Sequence, residues 1–377
     1  MKILHLSADY SKQKIYFNLI RHLSMKGLNQ LVYVPVRTRA EMNVNVDTSV
    51  ANIRYKFSHI LNFYHKINFF KKVKVTFSDL ENSFDLHQID LIHAHFLFSD
   101  GGIALEAKKK YGVRYVVAVR NTDINYFYKY GLHLRRRGNE ILENAESVIF
   151  ISPGHMKRLT QEYLSSGQAA RLIAKARIIP NGVDEFWLKN TFHRSSISTE
   201  RVGIIYVGEY SKNKNLEILI QVVKILIQNL KLNATLTLIG EYGDNVDNII
   251  SISSGFPWVK SYAKMCKEEI LLQLRSNNIF VMPSFKETFG LVYIEALSQG
   301  LPILYTKGEG VDGYFDEGEV GYGINPKSAW DIALRVMDVL KTDYVSMSNR
   351  CTQASYKFNW DLISDNYLNL YRQAMNK

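Results

Sequence analysis

A chain of 377 residues, 46% hydrophobic and 22% charged, can bury two cores and carries too much apolar weight for a disordered tail. Its two cysteines, Cys266 and Cys351, exclude a disulfide framework, and no run approaches the roughly 18 apolar residues of a spanning helix, so the expectation is a cytosolic protein, neither exported nor threaded through a bilayer. The net charge of +11 lies wholly in the first half: residues 1–190 hold 28 Lys and Arg against 16 Asp and Glu, the rest 19 against 20.

In chain order, "KILHLSA" and "LVYVPV" read as strands bracketing a helical "KIYFNLIRHLSMKG" that ends in Gly27. Next comes "YKFSHILNFYHKINFFKKVKV" (Tyr55 to Val75), where Phe57, Phe63, Tyr64, Phe69 and Phe70 alternate with Lys56, Lys66, Lys71, Lys72 and Lys74. That mixture suits anionic lipid headgroups, and equally a solvated basic face whose aromatics turn into the core. "LHLRRRG" (Leu132 to Gly138) adds to the basic excess. Nucleic acid is not expected, because no helix-turn-helix, zinc-finger or RNA-recognition signature is present.

"IDLIHAHF", the helical "GGIALEAKKKYG" and the strand "RYVVAVR" continue the strand-helix-strand rhythm. "HAH" sets His93 and His95 on one strand face, a spacing a metal can use; with no evident third ligand, two strand-end histidines are the expectation. The Ser- and Thr-rich "NTFHRSSISTE" reads as a linker. The rhythm then restarts with "STERVGIIYVGE", a strand ending at Gly208. A helix follows with Leu216, Leu219, Val223, Leu226 and Leu230 on one face, and then the strand "ATLTLIG". Alternation of this kind predicts an α/β protein of two doubly wound, Rossmann-like domains facing a central cleft. In such sheets ligands bind beyond the carboxyl ends of the strands.

The segment "PSFKETFGLVYIEALSQGLPIL" (Pro283 to Leu304) carries the chemistry. A strand stops at Pro283–Ser284, a helix "LVYIEALSQG" stops at Gly300, and "LPILYT" is the next strand. Glu287 falls in the loop and Glu295 just over one turn inside the helix, whose side chains tilt back toward its start. Gly290 lets backbone approach a ligand, and the free N–H groups of the helix start form an anion seat. An anion seat with a carboxylate on either side suits a molecule with phosphates in its middle and hydroxyl-rich sugars at both ends. A nucleotide-diphosphate sugar has that shape. Without further support, Glu287 as a partner of the helix dipole and Glu295 as a surface residue explain the spacing as well.

The same segment resembles the donor site of the retaining family 4 glycosyltransferases, whose mark is Glu, seven residues, Glu within "PS..E.FG...EA...G.P". Pro283, Ser284, Glu287, Phe289, Gly290, Glu295, Ala296, Gly300 and Pro302 all match. The resemblance extends to "MKILHLSADY", "RIIPNGVDEFW", "IIYVGEYSKNKNLEILI" and "FNWDLISDNYLNLYRQ". It implies the GT-B fold: a Rossmann-like acceptor domain over residues 1–190, a donor domain over 200–357, and a last helix, 358–377, crossing back onto the first. It also implies that Glu287 holds hydroxyls of the transferred sugar, Glu295 the ribose, and the Phe289, Gly290 and Leu291 amides, beside Thr288, the diphosphate. Lys214, six residues after Gly208, would neutralise the leaving group.

Three positions depart from the family pattern. Glu209 stands where an Arg is usual, so Lys212 is expected to supply that cation. Arg120 stands where many relatives carry a His near the reacting carbon, followed by Asp123; Arg can bind a phosphate or the acceptor but is a poor proton shuttle. "SKQK" replaces a glycine pair, leaving Ser11 and Lys12 as acceptor-side candidates. "GEGVDG" (Gly308 to Gly313) matches GxGxxG, yet the glycine-broken acidic stretch after it is no dinucleotide helix. No Asp-x-Asp occurs, so no metal and no cofactor is expected.

The resulting expectation is a metal-independent, retaining hexosyl transfer from a nucleotide-diphosphate sugar to a saccharide hydroxyl. The acceptor is expected to be lipid-linked, met at the inner face of a bacterial membrane through the basic first domain. A noncatalytic sugar-nucleotide-binding protein and an NAD-dependent oxidoreductase remain as other classes.

Overall fold

The computed structural model describes residues 1–196, 201–240 and 242–376, with the side chain of Lys66 left out. Two compact units emerge: Met1–Gly182 with Trp360–Lys377, and Val183–Asn359.

The first unit is a seven-stranded parallel sheet in the order β3-β2-β1-β4-β5-β6-β7. Its strands are β1 (Lys2–Leu6), β2 (Asn29–Val36), β3 (Ile53–His59), β4 (Leu91–Ala94), β5 (Tyr115–Val119), β6 (Ser147–Phe150) and β7 (Ala176–Ile178). β4, β5 and β6 are buried on both faces, which is why they are largely apolar and show no alternation with exposed polar residues. Helix Lys14–Met25 covers one face together with the final helix, Trp360–Met375, which seats Ile363, Tyr367, Leu370 and Tyr371 against Ile3, Leu19, Leu23, Leu91 and Val116. The chain leaves β1 in one direction and returns to β4 in the other, so the crevice of this sheet opens at the carboxyl ends of β1 and β4.

The second unit repeats the plan with six parallel strands, β10-β9-β8-β11-β12-β13. These are β8 (Val202–Val207), β9 (Ala234–Ile239), β10 (Val259–Tyr262), β11 (Ile279–Met282), β12 (Ile303–Thr306) and β13 (Gly321–Ile324). Its switch point lies between β8 and β11. In helix Leu216–Gln228, Leu216, Leu219, Val223 and Leu226 are buried as the periodicity predicts, while Leu230 lies beyond the helix end. Gly300, just past helix Leu291–Ser298, takes φ +66°, the left-handed turn expected of it.

Two expectations need correction. The stretch read as a linker is docked where it is described: buried Arg194 donates from Nη2 to the Leu274 carbonyl at 2.9 Å, and Phe192 N–H to the Ser298 carbonyl at 3.0 Å. Its last residues, 197–200, lie outside the described residues. The chain therefore passes into the second unit after Gly182 rather than near residue 190. The basic aromatic stretch, in turn, begins as β3, the edge strand of the first sheet. Phe57 and Phe69 are buried, but Phe63, Tyr64 and Phe70 face solvent, so neither reading of its aromatics holds for the whole stretch.

Candidate active site

The loops that leave β8 and β11 are neighbours because those strands are paired. Asn213 ties them together. Its Nδ2 donates to the Lys286 carbonyl at 2.8 Å, its Oδ1 accepts the Lys286 N–H at 3.1 Å, and its own carbonyl accepts the Phe285 N–H at 2.8 Å. That clamp sets Lys214 opposite Glu287, with Nζ 2.7 Å from Oε2. The other Glu287 oxygen accepts the Thr288 N–H at 2.9 Å. A third loop supports the pair: Glu309 accepts the Glu287 N–H at 3.0 Å and the Lys286 ammonium at 2.9 Å. Glu287 is thus held at both oxygens and at its backbone, by short charge-assisted bonds that fix its direction.

Gly290 opens helix Leu291–Ser298 with φ +78°. A Cβ there would sit 2.7 Å from the Tyr293 ring, so only glycine lets the chain turn this tightly into the helix. No side chain caps the helix start, whose Gly290 and Val292 line the pocket, so the positive end of the helix dipole lies at its wall. Phe289 anchors the turn by packing against Tyr314 and Phe358, 5.7 and 5.6 Å away between ring centres. Glu295 lies further along, and burial pushes its carboxyl up to about 7, against the pull of the Lys267 ammonium. Gly208, Glu209, Lys214, Glu287, Gly290, Val292 and Glu295, with Val207, Tyr242 and Met282, line one cavity of about 420 Å³.

Glu209 does line this cavity, its carboxylate receiving the Ser211 hydroxyl at 2.9 Å. Lys212, expected to compensate for it, does not; it is exposed and its backbone N–H is spent on Asp244. Asn215, with φ +56°, ends the short turn Lys212–Lys214 in the left-handed region. The Gly308–Gly313 loop is a set of turns with no helix, and Gly310 N–H donates to the Glu287 carbonyl at 3.1 Å. It braces the Glu287 loop rather than offering a dinucleotide fingerprint.

At the crevice of the first unit, sheet register places His5 beside His93. Together with His95 they form a fully buried trio whose ligand-type atoms lie within 4.8 Å of one another, the third member that the sequence did not reveal. His5 Nδ1 is 3.1 Å from His95 Nε2, His5 Nε2 meets Gln30 Oε1 at 3.0 Å, and His93 Nδ1 meets the Tyr371 hydroxyl at 2.7 Å. Burial lowers all three, His5 to about 3, and the Arg120 charge lowers His93 and His95 further. Both His5 nitrogens are engaged, the buried His93 Nε2 and His95 Nδ1 have no hydrogen-bond partner, and the charge of the Arg120 guanidinium reaches both of those rings.

Arg120 is buried, its Nε donating to the His95 carbonyl at 3.1 Å and its charge lying over the Tyr16 ring. Asp123 is buried too and receives three backbone N–H groups, from Arg120 at 2.8 Å, Leu97 at 3.1 Å and Phe98 at 3.2 Å. Burial raises its carboxyl to about 6, and these bonds hold it from rising further. Expected at the acceptor, Asp123 is spent on stapling two loops. Ser11 donates to the Glu41 carbonyl at 2.6 Å, and exposed Lys12 pairs with Asp9 at 3.2 Å.

Sequence reasoning missed Asn213, Glu309, His5, Tyr242 and Val292. Asn213, Glu309 and His5 act through partners far away in the chain, Tyr242 and Val292 are cavity walls, and only the i,i+2 spacing of His93 and His95 gave a local signal.

Comparison with known proteins fits this geometry. Residues 189–358 match the family described as Glycosyl transferases group 1, and residues 14–185 match Glycosyltransferase Family 4. A D-inositol 3-phosphate glycosyltransferase of Paenarthrobacter aurescens is 24% identical over 306 residues, 76% of this chain and 73% of that protein. Sucrose-phosphate synthase from Thermosynechococcus elongatus superposes with a TM-score of 0.75 at 19% identity, over 99% of this chain and 98% of that one. The Anabaena protein HepE, solved in complex with UDP-glucose, gives 0.66 at 16% identity over 98% of both chains. With both of its units matched by glycosyltransferase families and its two parallel sheets arranged as described, the chain belongs to the family 4 glycosyltransferases of the GT-B fold.

Proposed function

We propose that this glycosyltransferase takes a hexosyl group from a nucleotide-diphosphate sugar and passes it, with retained anomeric configuration and without a metal ion, to a hydroxyl of a lipid-linked saccharide in bacterial surface polysaccharide synthesis. The observation that carries the reading is the pocket at β8 and β11. A lysine, an uncapped helix start and the carboxylates of Glu209, Glu287 and Glu295 line one cavity of about 420 Å³. UDP-glucose bound to HepE, a protein of the same fold, supports the donor class.

In this scheme the diphosphate sits at the Gly290 helix start with Lys214 beside it, while Glu287 and Glu295 accept hydroxyls of the sugar and the ribose. The bond from the anomeric carbon to the phosphate oxygen breaks as positive charge grows on the sugar ring. Lys214 and the helix N–H groups stabilise the negative charge left behind, the kind of prearranged electrostatics that supplies several kcal/mol. Both Glu287 oxygens are occupied by donors, which suits a positioning carboxylate better than a nucleophile. The acceptor oxygen then attacks from the face the phosphate leaves, and its proton passes to a phosphate oxygen.

Arg120 is assigned the task of holding the β4 and β5 ends in place, since its guanidinium is engaged there. The basic first half supports an anionic membrane surface as the location of the acceptor, with the protein peripheral on the cytoplasmic side. Glu209 adds negative charge to the donor pocket and so favours a second reading, a noncatalytic sugar-nucleotide binder.

One assay decides between the two. Release of nucleoside diphosphate is followed across UDP-, GDP- and ADP-sugars, and the anomeric configuration of the product is read by NMR. Turnover with retained configuration is expected. Binding without release establishes the noncatalytic reading, and an inverted product removes the retaining mechanism.

A further inference from the structure

Among the described residues, Lys214 is the one basic side chain that lines the donor cavity, and it already has a counter-charge. Its Nζ lies 2.7 Å from Glu287 Oε2, so each neutralises the other. Lys286 is turned to Glu309 at 2.9 Å and Lys212 is exposed, and neither lines the cavity. Glu209 is different. The Tyr206 hydroxyl donates to its backbone carbonyl at 2.7 Å and the Ser211 hydroxyl to its Oε1 at 2.9 Å, while its Oε2 has no partner among the described residues. Burial, then the charges of Glu287 and Glu209, hold the Tyr206 phenol well above its ordinary range, so both carboxylates are felt at one point of this wall.

Tyr242 completes that side. Tyr210 N–H donates to the Tyr242 carbonyl at 2.7 Å and the Tyr210 carbonyl accepts the Asn245 N–H at 2.9 Å, which ties the loop after β9 to the loop after β8. The Tyr242 ring, 56% exposed, lines the same cavity as Glu209. A diphosphate entering here meets one lysine that is already neutralised and one carboxylate that is not, so the missing positive charge falls to the ligand. A free carboxylate oxygen and an aromatic ring are the two groups that hold an organic ammonium, the first by a charge-assisted hydrogen bond and the second by the negative face of its ring. A magnesium ion would use the carboxylate and gain nothing from the ring.

We infer that the transferred sugar is an amino sugar, whose protonated amine is received by Glu209 Oε2 beside the Tyr242 ring. The inference rests on the donor pocket proposed above and names the class of sugar that the pocket selects.

The test is a panel of UDP- and GDP-hexoses carrying a free amine at each sugar position in turn, each matched to its hydroxyl and N-acetyl counterparts. Release of nucleoside diphosphate is assayed with and without Mg²⁺, and binding of the same donors is measured by calorimetry. One amine donor is expected to exceed its hydroxyl and N-acetyl counterparts by about tenfold in kcat/KM, the lower end for a hydrogen bond to a charged group. Glu209→Gln should erase that preference and raise kcat/KM for the hydroxyl donors, because it removes the repulsion of the diphosphate. Tyr242→Leu should reduce the preference by roughly two- to fivefold. A ratio taken within one preparation is independent of the fraction folded, so a loss of stability does not imitate these effects.

Three outcomes overturn the inference: hydroxyl or N-acetyl donors are bound and used at least as well as every amine, Glu209→Gln leaves the preference intact, or hydroxyl donors react only with Mg²⁺ and Glu209→Gln abolishes that requirement, which makes Glu209 a metal ligand. Turnover without an amine preference sinks this inference and leaves the transferase reading standing. If no donor releases nucleoside diphosphate, the transferase reading falls, and the calorimetric affinities still decide the amine preference.

Discussion

The two sheets present the same crevice, at the carboxyl ends of β1 and β4 in one unit and of β8 and β11 in the other, and they furnish it in opposite ways. In the second, Lys214, Glu287, Glu295 and Glu209 are only partly buried and line a cavity. In the first, His5, His93, His95, Arg120 and Asp123 are buried and bonded to each other, to backbone or to Gln30 and Tyr371, with His93 Nε2 and His95 Nδ1 alone of their ring nitrogens left unpartnered. A buried polar group tied to fixed partners stiffens the scaffold. A charge held at a cavity wall keeps its field for what enters. The contrast implies that substitutions in the second crevice reduce rate, and those in the first reduce stability.

Lys214→Ala is the strongest attempt to break that contrast. Turnover should fall by about 10²–10³, the loss typical of removing one charge-stabilising donor, while the thermal midpoint moves by only a few degrees. An unchanged rate removes Lys214 from the chemistry.

Acid exposes the other side of the comparison. The three histidines are held below their ordinary 6.5, His5 at about 3, so the folded state refuses protons that the unfolded chain accepts. Their contribution is intact above pH 6.5 and is lost as pH falls toward 3, by up to about 1.4 kcal/mol per ring for each pH unit. Denaturant midpoints measured from pH 7 to pH 5 should therefore fall, and His5→Gln should flatten the slope by about a third. A slope untouched by that variant assigns the acid sensitivity elsewhere. Asp123→Asn is a smaller perturbation in the same region. It replaces an acceptor of three N–H groups by an amide that presents two hydrogens, at a cost of about 1–3 kcal/mol, and the folded fraction should keep its kcat. A kcat that falls while stability holds returns Asp123 to the acceptor site.

How much of this was legible depended on distance along the chain. Glu287, Gly290 and Glu295 lie in one turn-and-helix segment, so they could be read together, although the family resemblance and not the spacing favoured a pocket over a surface. The alternation of apolar runs with helical periodicity announced both sheets. His5 was invisible because only the β1–β4 register brings it to His93. Glu309 and Asn213 were invisible because they act through backbone groups, which any residue carries. Arg194 misled in the opposite sense. Its Ser- and Thr-rich surroundings look like a free linker, but its guanidinium found carbonyls at Leu274 and Gln299. In the Tyr55–Val75 stretch, composition could not say which aromatics face inward, since strand and helix periods succeed one another within it.

Glu295 offers the finest test, because it lies in the second crevice yet is buried enough for its carboxyl to sit near 7. Ionised, it can accept hydrogen bonds from two neighbouring hydroxyls; protonated, it gives up one of those positions to its own hydrogen. If it holds the ribose, donor KM should rise as pH falls through 7, by roughly three- to tenfold for the loss of about one hydrogen bond. kcat should stay level over the same range, because the ribose is remote from the reacting carbon. Glu295→Gln, which does not titrate, should make donor KM independent of pH between 6 and 8. A KM profile identical in wild type and variant would free Glu295 from the ribose and leave the Lys214–Glu287 end of the cavity to account for donor binding alone.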